Sequence, residues 1–188
     1  MTLSLETSRL IIRQFRDSDL ETFLAYRNDP EVARYQGWEL PFAADLAREF
    51  IGHMQAATPF HQENPFSING WYQMAVELSG TGETLGDVAL TFDSSQNCAR
   101  IGYTIAQPHW RQGYASEAVS ALLTYLFGEL GVHRIIADCS PANTGSVRIL
   151  EKNGFRREAH YVESYRNAAG IWEDEYQYGL LDREWKVS

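Results

Sequence analysis

The 188 residues are 44% hydrophobic and 22% charged, which excludes disordered and fibrous classes and leaves enough chain for one domain over residues 1–188 with a substantial core. No apolar run reaches the roughly 18 residues of a membrane span, and no basic segment followed by an apolar one opens the chain, so the expected location is the cytoplasm, with no membrane partner. A net charge of -9 argues against direct nucleic-acid binding, which needs a basic patch, and suits a cationic amine drawn in by an acidic surface, although solubility alone also explains acidity.

Leu10 to Phe15 reads as a first strand. Ser18, with Glu21 three residues on, has the form of a capping box for a helix carrying Leu20, Phe23 and Leu24 and stopped by Pro30. Ala43, Leu46, Ala47, Phe50, Ile51 and Met54 trace one face of a second helix. Residues 60–70 read as an irregular loop. Three strands then follow at Tyr72–Leu78, Gly86–Phe92 and Cys98–Ala106, with a glycine turn over residues 79–82, as an antiparallel meander. A helix over 115–129 comes next, then a buried strand His133–Cys139, a helix Thr144–Asn153 ended by a left-handed Gly154, and a hairpin of Phe155–Tyr165 with Glu173–Leu181. Helices, a meander and a β-α-β-α-β run predict a mixed α/β (α+β) sheet of about seven strands with helices on both faces. Cys98 and Cys139, and His53, His61, His109, His133 and His160, lack metal-ligand spacing, so free thiols and no metal are expected.

The junction from Gln107 to Glu117 carries the chemistry. A strand enters it and a helix leaves it, with Ala115, Ala118, Val119, Leu122, Leu123 and Leu126 at helical spacing. The first helical turn leaves backbone N–H groups without acceptors, and they and the helix dipole favour a diphosphate. Gly113 allows close approach, Ala115 and Ser116 keep the entrance uncrowded, and Arg111 and Lys152 supply local positive charge. The loop lacks the Gly-Lys-Ser/Thr of nucleotide-binding loops, so ATP is expected to bind poorly.

Trp110-Arg111-Gln112-Gly113-Tyr114-Ala115 resembles the acyl-CoA pyrophosphate loop of the GNAT N-acetyltransferases, Gln/Arg-x-x-Gly-x-Gly/Ala, with Trp110 in place of the first polar residue as in the RimJ/RimL-like branch, whose members acetylate ribosomal proteins. Leu5-Glu6-Thr7-Ser8-Arg9-Leu10-Ile11-Ile12-Arg13, Asn28-Asp29-Pro30-Glu31-Val32, Ile101-Gly102-Tyr103, Asn143-Thr144-Gly145-Ser146, Glu151-Lys152-Asn153-Gly154-Phe155, Asp174 and the stretch from Tyr178 to Trp185 resemble further elements of that branch in the same order. The resemblance implies a mostly antiparallel sheet in which the parallel strands Ile101–Ala106 and His133–Cys139 splay beyond Ala106. Acetyl-CoA would pair its pantetheine arm with backbone near Ile105 and Gln107, and an N–H near Tyr103 to Ile105 would serve as oxyanion donor, a contribution of roughly 3–4 kcal/mol in other acyl-transfer sites.

The same resemblance makes Ser146 the acid at the departing sulfur and Asn143 both a helix cap and a contact to the pantetheine amide. The base is open. A ribosomal-protein-acetylating relative carries a carboxylate where Tyr165 stands. Glu163 lies two residues earlier, on the same face if the strand alternates, and Glu77, Asp87 or water are alternatives. Tyr35, Trp38 and Phe42 are candidate walls of an acceptor pocket, with core packing their commoner fate. The implied activity is direct acetyl transfer to a primary amine, on a protein N-terminus or a small molecule, with a homodimer as one arrangement the chain allows. Succinyl-CoA, helped by Arg100 or Arg166, is an alternative donor, and a silent acyl-CoA-binding module an alternative function.

Overall fold

In a computed structural model that describes residues 3–57, 70–93, 95, 97–167 and 170–186, the strands β1 (Ser4–Glu6), β2 (Leu10–Arg13), β3 (Tyr72–Leu78), β4 (Thr84–Asp93), β5 (Cys98–Ile105), β6 (Arg134–Cys139), β7 (Arg156–Arg166) and β8 (Trp172–Leu181) form one sheet in the order β1-β2-β3-β4-β5-β6-β8-β7. The eighth strand, beyond the expected seven, is the three-residue β1, which folds back on β2. Nearly every residue of β4 is buried, as befits a central strand covered on both faces.

Helices α1 (Leu20–Arg27) and α3 (Ala44–Ala56) bury Phe23, Tyr26, Ala47 and Ile51 against Ala75 and Ala106. Leu46, expected on the buried face of α3, is exposed. The helices α4 (Tyr114–Leu123) and α5 (Thr144–Lys152) belong to the larger cluster with Val88, Leu90 and Ile101. Helix α4 bears the predicted stripe, with Ala118, Val119 and Leu122 fully buried, but the rest of the helix expected to residue 129, Thr124–Glu129, is a π-helix. Gly154 has φ +86, the left-handed cap expected after α5. Of the predicted loop over 60–70, all but Gly70 lies outside the described residues.

The first helix starts differently from its sequence pattern. The Ser18–Glu21 box does not form; a 3-10 turn, Asp17–Asp19, precedes α1, and the Asp19 carboxylate accepts the Arg16 N–H at 2.7 Å. Asp19 is drawn inward by Arg13, whose guanidinium grips both its oxygens at 2.7 and 2.9 Å and also donates to Glu77. Pro30 does not merely stop a helix; it is the first residue of a short one, α2 (Pro30–Ala33), capped by Asp29, a position where its missing N–H costs nothing.

The parallel pair is brief. β5 and β6 are in register at Cys98↔Arg134, Ala99↔Ile135 and Arg100↔Ile136 only. Beyond this, β5 stays on β4 as far as Gly86↔Ile105 and β6 stays on β8 as far as Cys139↔Tyr176. The strands therefore part from Ile101 and Ala137, earlier than the expected point beyond Ala106, because each holds its outer antiparallel partner. Gly86 makes the first of these ladders possible, since a Cβ there would lie 2.0 Å from the Thr104 carbonyl oxygen.

The Arg13–Asp19 pair yields a prediction. Burial, the largest influence, would raise the Asp19 carboxyl, yet hydrogen bonds from Arg13, the Arg16 N–H and Thr84 hold it below its ordinary 3.8. Its stabilising contribution is therefore complete above the unfolded value and disappears as pH falls through the lower folded one. Asp19→Ala leaves Arg13 buried without its main partner and should cost about 3–5 kcal/mol at pH 7 in urea unfolding, with a shallower loss of stability below pH 4 than the parent chain.

Candidate active site

β5 ends in a 3-10 turn, Gln107–His109, and the chain crosses to α4 through two left-handed residues, Arg111 at φ +62 and Gly113 at φ +85. Gly113 adopts this readily; Arg111 does so at a cost of about 1–2 kcal/mol, a strain absent from the sequence reading. The conformation is held from several sides. The Trp110 indole donates to the Ile105 carbonyl at 2.6 Å, and the Gln112 side chain donates to Pro108 O at 3.1 Å. The first helical bond of α4 runs from Glu117 N–H to Gly113 O at 3.0 Å. The N–H groups of Tyr114, Ala115 and Ser116 therefore have no intrahelical acceptor.

A cleft of about 740 Å³ opens beside this turn, and Gln112, Gly113, Ser116, Lys152 and Asn153 line it. Asn153 closes the gap between helices by donating to the Ser116 hydroxyl at 3.1 Å. Arg111 is exposed at the loop tip. The sequence reading missed Arg9, which borders the same cleft and lies 4.6 Å from the centre of the Tyr114 ring; the signal was its place in the family-like opening strand.

Where β5 and β6 diverge, β5 has no strand partner on the β6 side. Ala106 N–H donates to Leu85 O at 2.8 Å, and since alternate residues of a strand direct their polar groups to opposite neighbours, the N–H groups of Ile105 and Tyr103 point into the fork. Gln107 has already left the strand for the 3-10 turn. Across the fork stands the start of α5. Asn143 Oδ1 accepts the Ser146 N–H at 3.1 Å, which commits its oxygen to capping and leaves its amide NH2 as donor. Tyr103 OH donates to Ser146 O at 3.3 Å, and burial keeps that phenol protonated, far above its ordinary range. The Ser146 side chain is half-buried. Cys139, at the end of β6, is a free thiol that burial pushes up to about 11.

On the acceptor side, the loop following α2 is tied to the loop after β6 and to β7. Tyr35 OH donates to Ala142 O at 3.2 Å, and Tyr165 OH donates to Gln36 O at 3.3 Å. Trp38 and Phe42 instead pack on the smaller core cluster. The Trp38 indole donates to Arg27 O at 2.9 Å and its ring lies 3.9 Å from the Arg27 guanidinium. Of the three proposed wall residues, Tyr35 joins the fork and the other two brace its loop.

The candidate bases separate clearly. Glu163 sits in a bulge between Tyr161 and Tyr165 with φ +49, its N–H donating to Asp174 Oδ1 at 3.0 Å. The bulge interrupts strand alternation, so the shared face expected for Glu163 and Tyr165 does not follow from spacing. Burial first, then the charges of Glu173 and Glu175, raise the Tyr165 phenol, making it a donor at neutral pH. Glu77 is bound by Arg13 and Arg16. Asp87 is buried beside Arg27 and accepts the Tyr26 hydroxyl at 2.6 Å; burial raises its carboxyl despite Arg27 and Tyr26. Arg100 is paired with Asp138 and Arg166 donates to Gly170 O. Among the described residues, no cluster of His, Cys, Asp and Glu has the arrangement of a metal site, and no helix is long and apolar enough to cross a membrane.

Residues 9–156 match the acetyltransferase (GNAT) domain family. The chain is 33% identical over 184 residues to the uncharacterized N-acetyltransferase p20 of Bacillus licheniformis, covering 97% of this chain and 98% of that one. It is 36% identical over 155 residues to the uncharacterized N-acetyltransferase YoaA of Bacillus subtilis, with 82% and 83% covered. The crystal structure of a GNAT-family acetyltransferase from Bacillus anthracis has a TM-score of 0.83 at 31% identity, covering 97% of this chain and all of that one. The sheet with one parallel pair, the turn into α4 and these relatives agree: the chain belongs to the RimJ/RimL-like branch of the GNAT N-acetyltransferases, enzymes that take their acetyl group from acetyl-CoA.

Proposed function

We propose that this chain transfers the acetyl group of acetyl-CoA directly to a primary amine, carried by a protein N-terminus or a small molecule. The observation that carries this reading is the turn Trp110–Gly113, whose left-handed residues lead to three N–H groups without helical acceptors beside a cleft that also holds Lys152. Such an array suits a diphosphate, and the fork beyond it suits the amide-bearing arm of acyl-CoA.

In this reading the Ile105 and Tyr103 N–H groups pair with the arm and polarise the thioester carbonyl. The amine nitrogen forms a bond to the carbonyl carbon, the C–S bond breaks, and Ser146 gives its proton to the departing thiolate and is reprotonated by the proton that the amine sheds. Tyr165, whose hydroxyl proton is held by Gln36 O, orients the acceptor by accepting an amine N–H, and the amine proton leaves through water or Glu163. With Arg100 already paired with Asp138, that guanidinium does not favour a succinyl group.

Two relatives frame the acceptor. The [ribosomal protein uS5]-alanine N-acetyltransferase of Escherichia coli is 32% identical over 85 residues, 45% of this chain. The Vibrio cholerae spermidine N-acetyltransferase shares the fold at 23% identity and a TM-score of 0.77. A protein N-terminus is the reading closer in sequence, and a polyamine the alternative on the same scaffold.

Acetyl-CoA at 100 times its dissociation constant should stabilise the chain by about 2.7 kcal/mol in thermal unfolding, with no shift from ATP; absence of any shift with CoA species would remove the reading. Gly113→Val, forced into a left-handed conformation with its Cβ 3.3 Å from Arg9 Nη2, should abolish most of that shift. Ser146→Ala should lower turnover about 100-fold with acetyl-CoA affinity intact, and unchanged turnover would take Ser146 out of the mechanism.

A further inference from the structure

Arg9 and Glu117 stand 108 positions apart in the chain and meet at the edge of the phosphate turn. Glu117 Oε1 accepts from the Thr7 hydroxyl at 2.6 Å, the Ser8 hydroxyl at 3.2 Å and the Arg9 N–H at 3.1 Å. Its Oε2 takes Arg9 Nε at 2.7 Å and Nη2 at 2.6 Å. The carboxylate is thus fully engaged in holding one guanidinium still. The remaining terminal nitrogen, Nη1, donates to the Gln112 carbonyl at 3.0 Å.

That last contact has a geometric consequence. A trans peptide directs its C=O and the following N–H in opposite directions. Fixing the Gln112 carbonyl on Arg9 therefore fixes the Gly113 N–H pointing away from the clasp. The pinned peptide lies between the two left-handed residues, Arg111 and Gly113, and a backbone strained in this way persists only where its surroundings over-determine it.

We infer that Arg9 and Glu117 are positioning residues for the acyl-CoA diphosphate: the clasp holds the Gln112–Gly113 peptide in its anion-binding orientation before the ligand arrives. This rests on the acetyl-CoA reading above. Glu117 places a negative charge near the turn, so the clasp acts through geometry, with Arg9 turned into its carboxylate partner. The fork shape of the guanidinium is essential, because a lysine ammonium cannot span the carboxylate and the carbonyl in the same way.

The test is a pair of variants, Arg9→Lys and Glu117→Gln, each titrated with acetyl-CoA and with acetyl-pantetheine, which lacks the diphosphate, after a thermal melt shows that the protein is folded. Both variants should weaken acetyl-CoA binding by about tenfold, the worth of one charge-assisted hydrogen bond, while acetyl-pantetheine affinity is unchanged. Unaltered acetyl-CoA affinity in both would overturn the inference, as would equal losses for the two ligands, which signal general distortion. A loss in Arg9→Lys that Glu117→Gln does not share would also overturn it, since Arg9 would then act on the ligand alone. If the parent chain binds neither ligand, the acetyl-CoA reading itself fails; binding that ignores the clasp sinks only the inference.

Discussion

The short pairing of β5 with β6 is the constraint on which the rest of the molecule turns. Each strand is bound more extensively to its outer neighbour, β4 or β8, than to the other. Two parallel strands share a direction, so the loops that follow them emerge at the same end of the sheet, as at the ligand crevices of other α/β sheets. This is why the turn 107–113 and the start of α5, far apart in sequence, flank one opening. It also leaves backbone donors at Tyr103 and Ile105 turned toward a gap, and buried peptide groups need partners. An extended ligand with its own amides answers that need better than a compact one.

Charge is distributed unevenly over this scaffold. The chain carries -9, and the cleft at the phosphate turn mixes signs, with Arg9 and Lys152 beside Glu6, Glu117 and Glu129, of which Glu117 is engaged by Arg9. The buried carboxylates behave differently from the exposed ones. Asp19 and Glu77 share Arg13, and Asp87 lies beside Arg27. These pairs fasten α1 and the start of the acceptor loop to β2, β3 and β4. The unfavourable transfer of each ion from water is offset only while its partner is present, so they are poor candidates for proton traffic. Of the acids near Tyr165, Glu163 on β7 is exposed and Glu173 and Asp174 on β8 are half-buried.

Much of this was legible in the residues. Alternation and helical spacing located the sheet and the core stripe of α4, because burial of one face imposes those periods directly. Gly154 announced its left-handed backbone, and Gly113 was read only as a point of close approach. The departures share a physical origin in long-range pairing. Asp19 displaced the Ser18 cap because Arg13 lies across a turn of chain that local propensity does not encode. The bulge at Glu163 defeated alternation because its N–H is satisfied by Asp174 on the next strand. Arg9 was visible only as part of a family-like strand, since its role depends on Glu117 and Gln112. Trp38 and Phe42 pack half-buried against the smaller cluster, with the Arg27 guanidinium near both rings.

The replacement of a carboxylate by Tyr165 bears on which amine suits the site. Held protonated by burial and by neighbouring acids, and donating to Gln36 O, this phenol is, on the proposed reading, an orienting group and not the base. On the proposed reading, the attacking amine must then enter largely neutral or lose its proton to water. An α-amine, with a pKa near 7.7–8.0, is about one-tenth neutral at pH 7, whereas a lysine-like amine near 10.4 is neutral in fewer than about one molecule in a thousand. The difference exceeds two orders of magnitude in reactive species before any contact is made. On the route in which water rather than Glu163 takes the proton, that difference slows an alkylamine acceptor relative to an α-amine of the same affinity, less the part that the alkylamine's greater nucleophilicity returns.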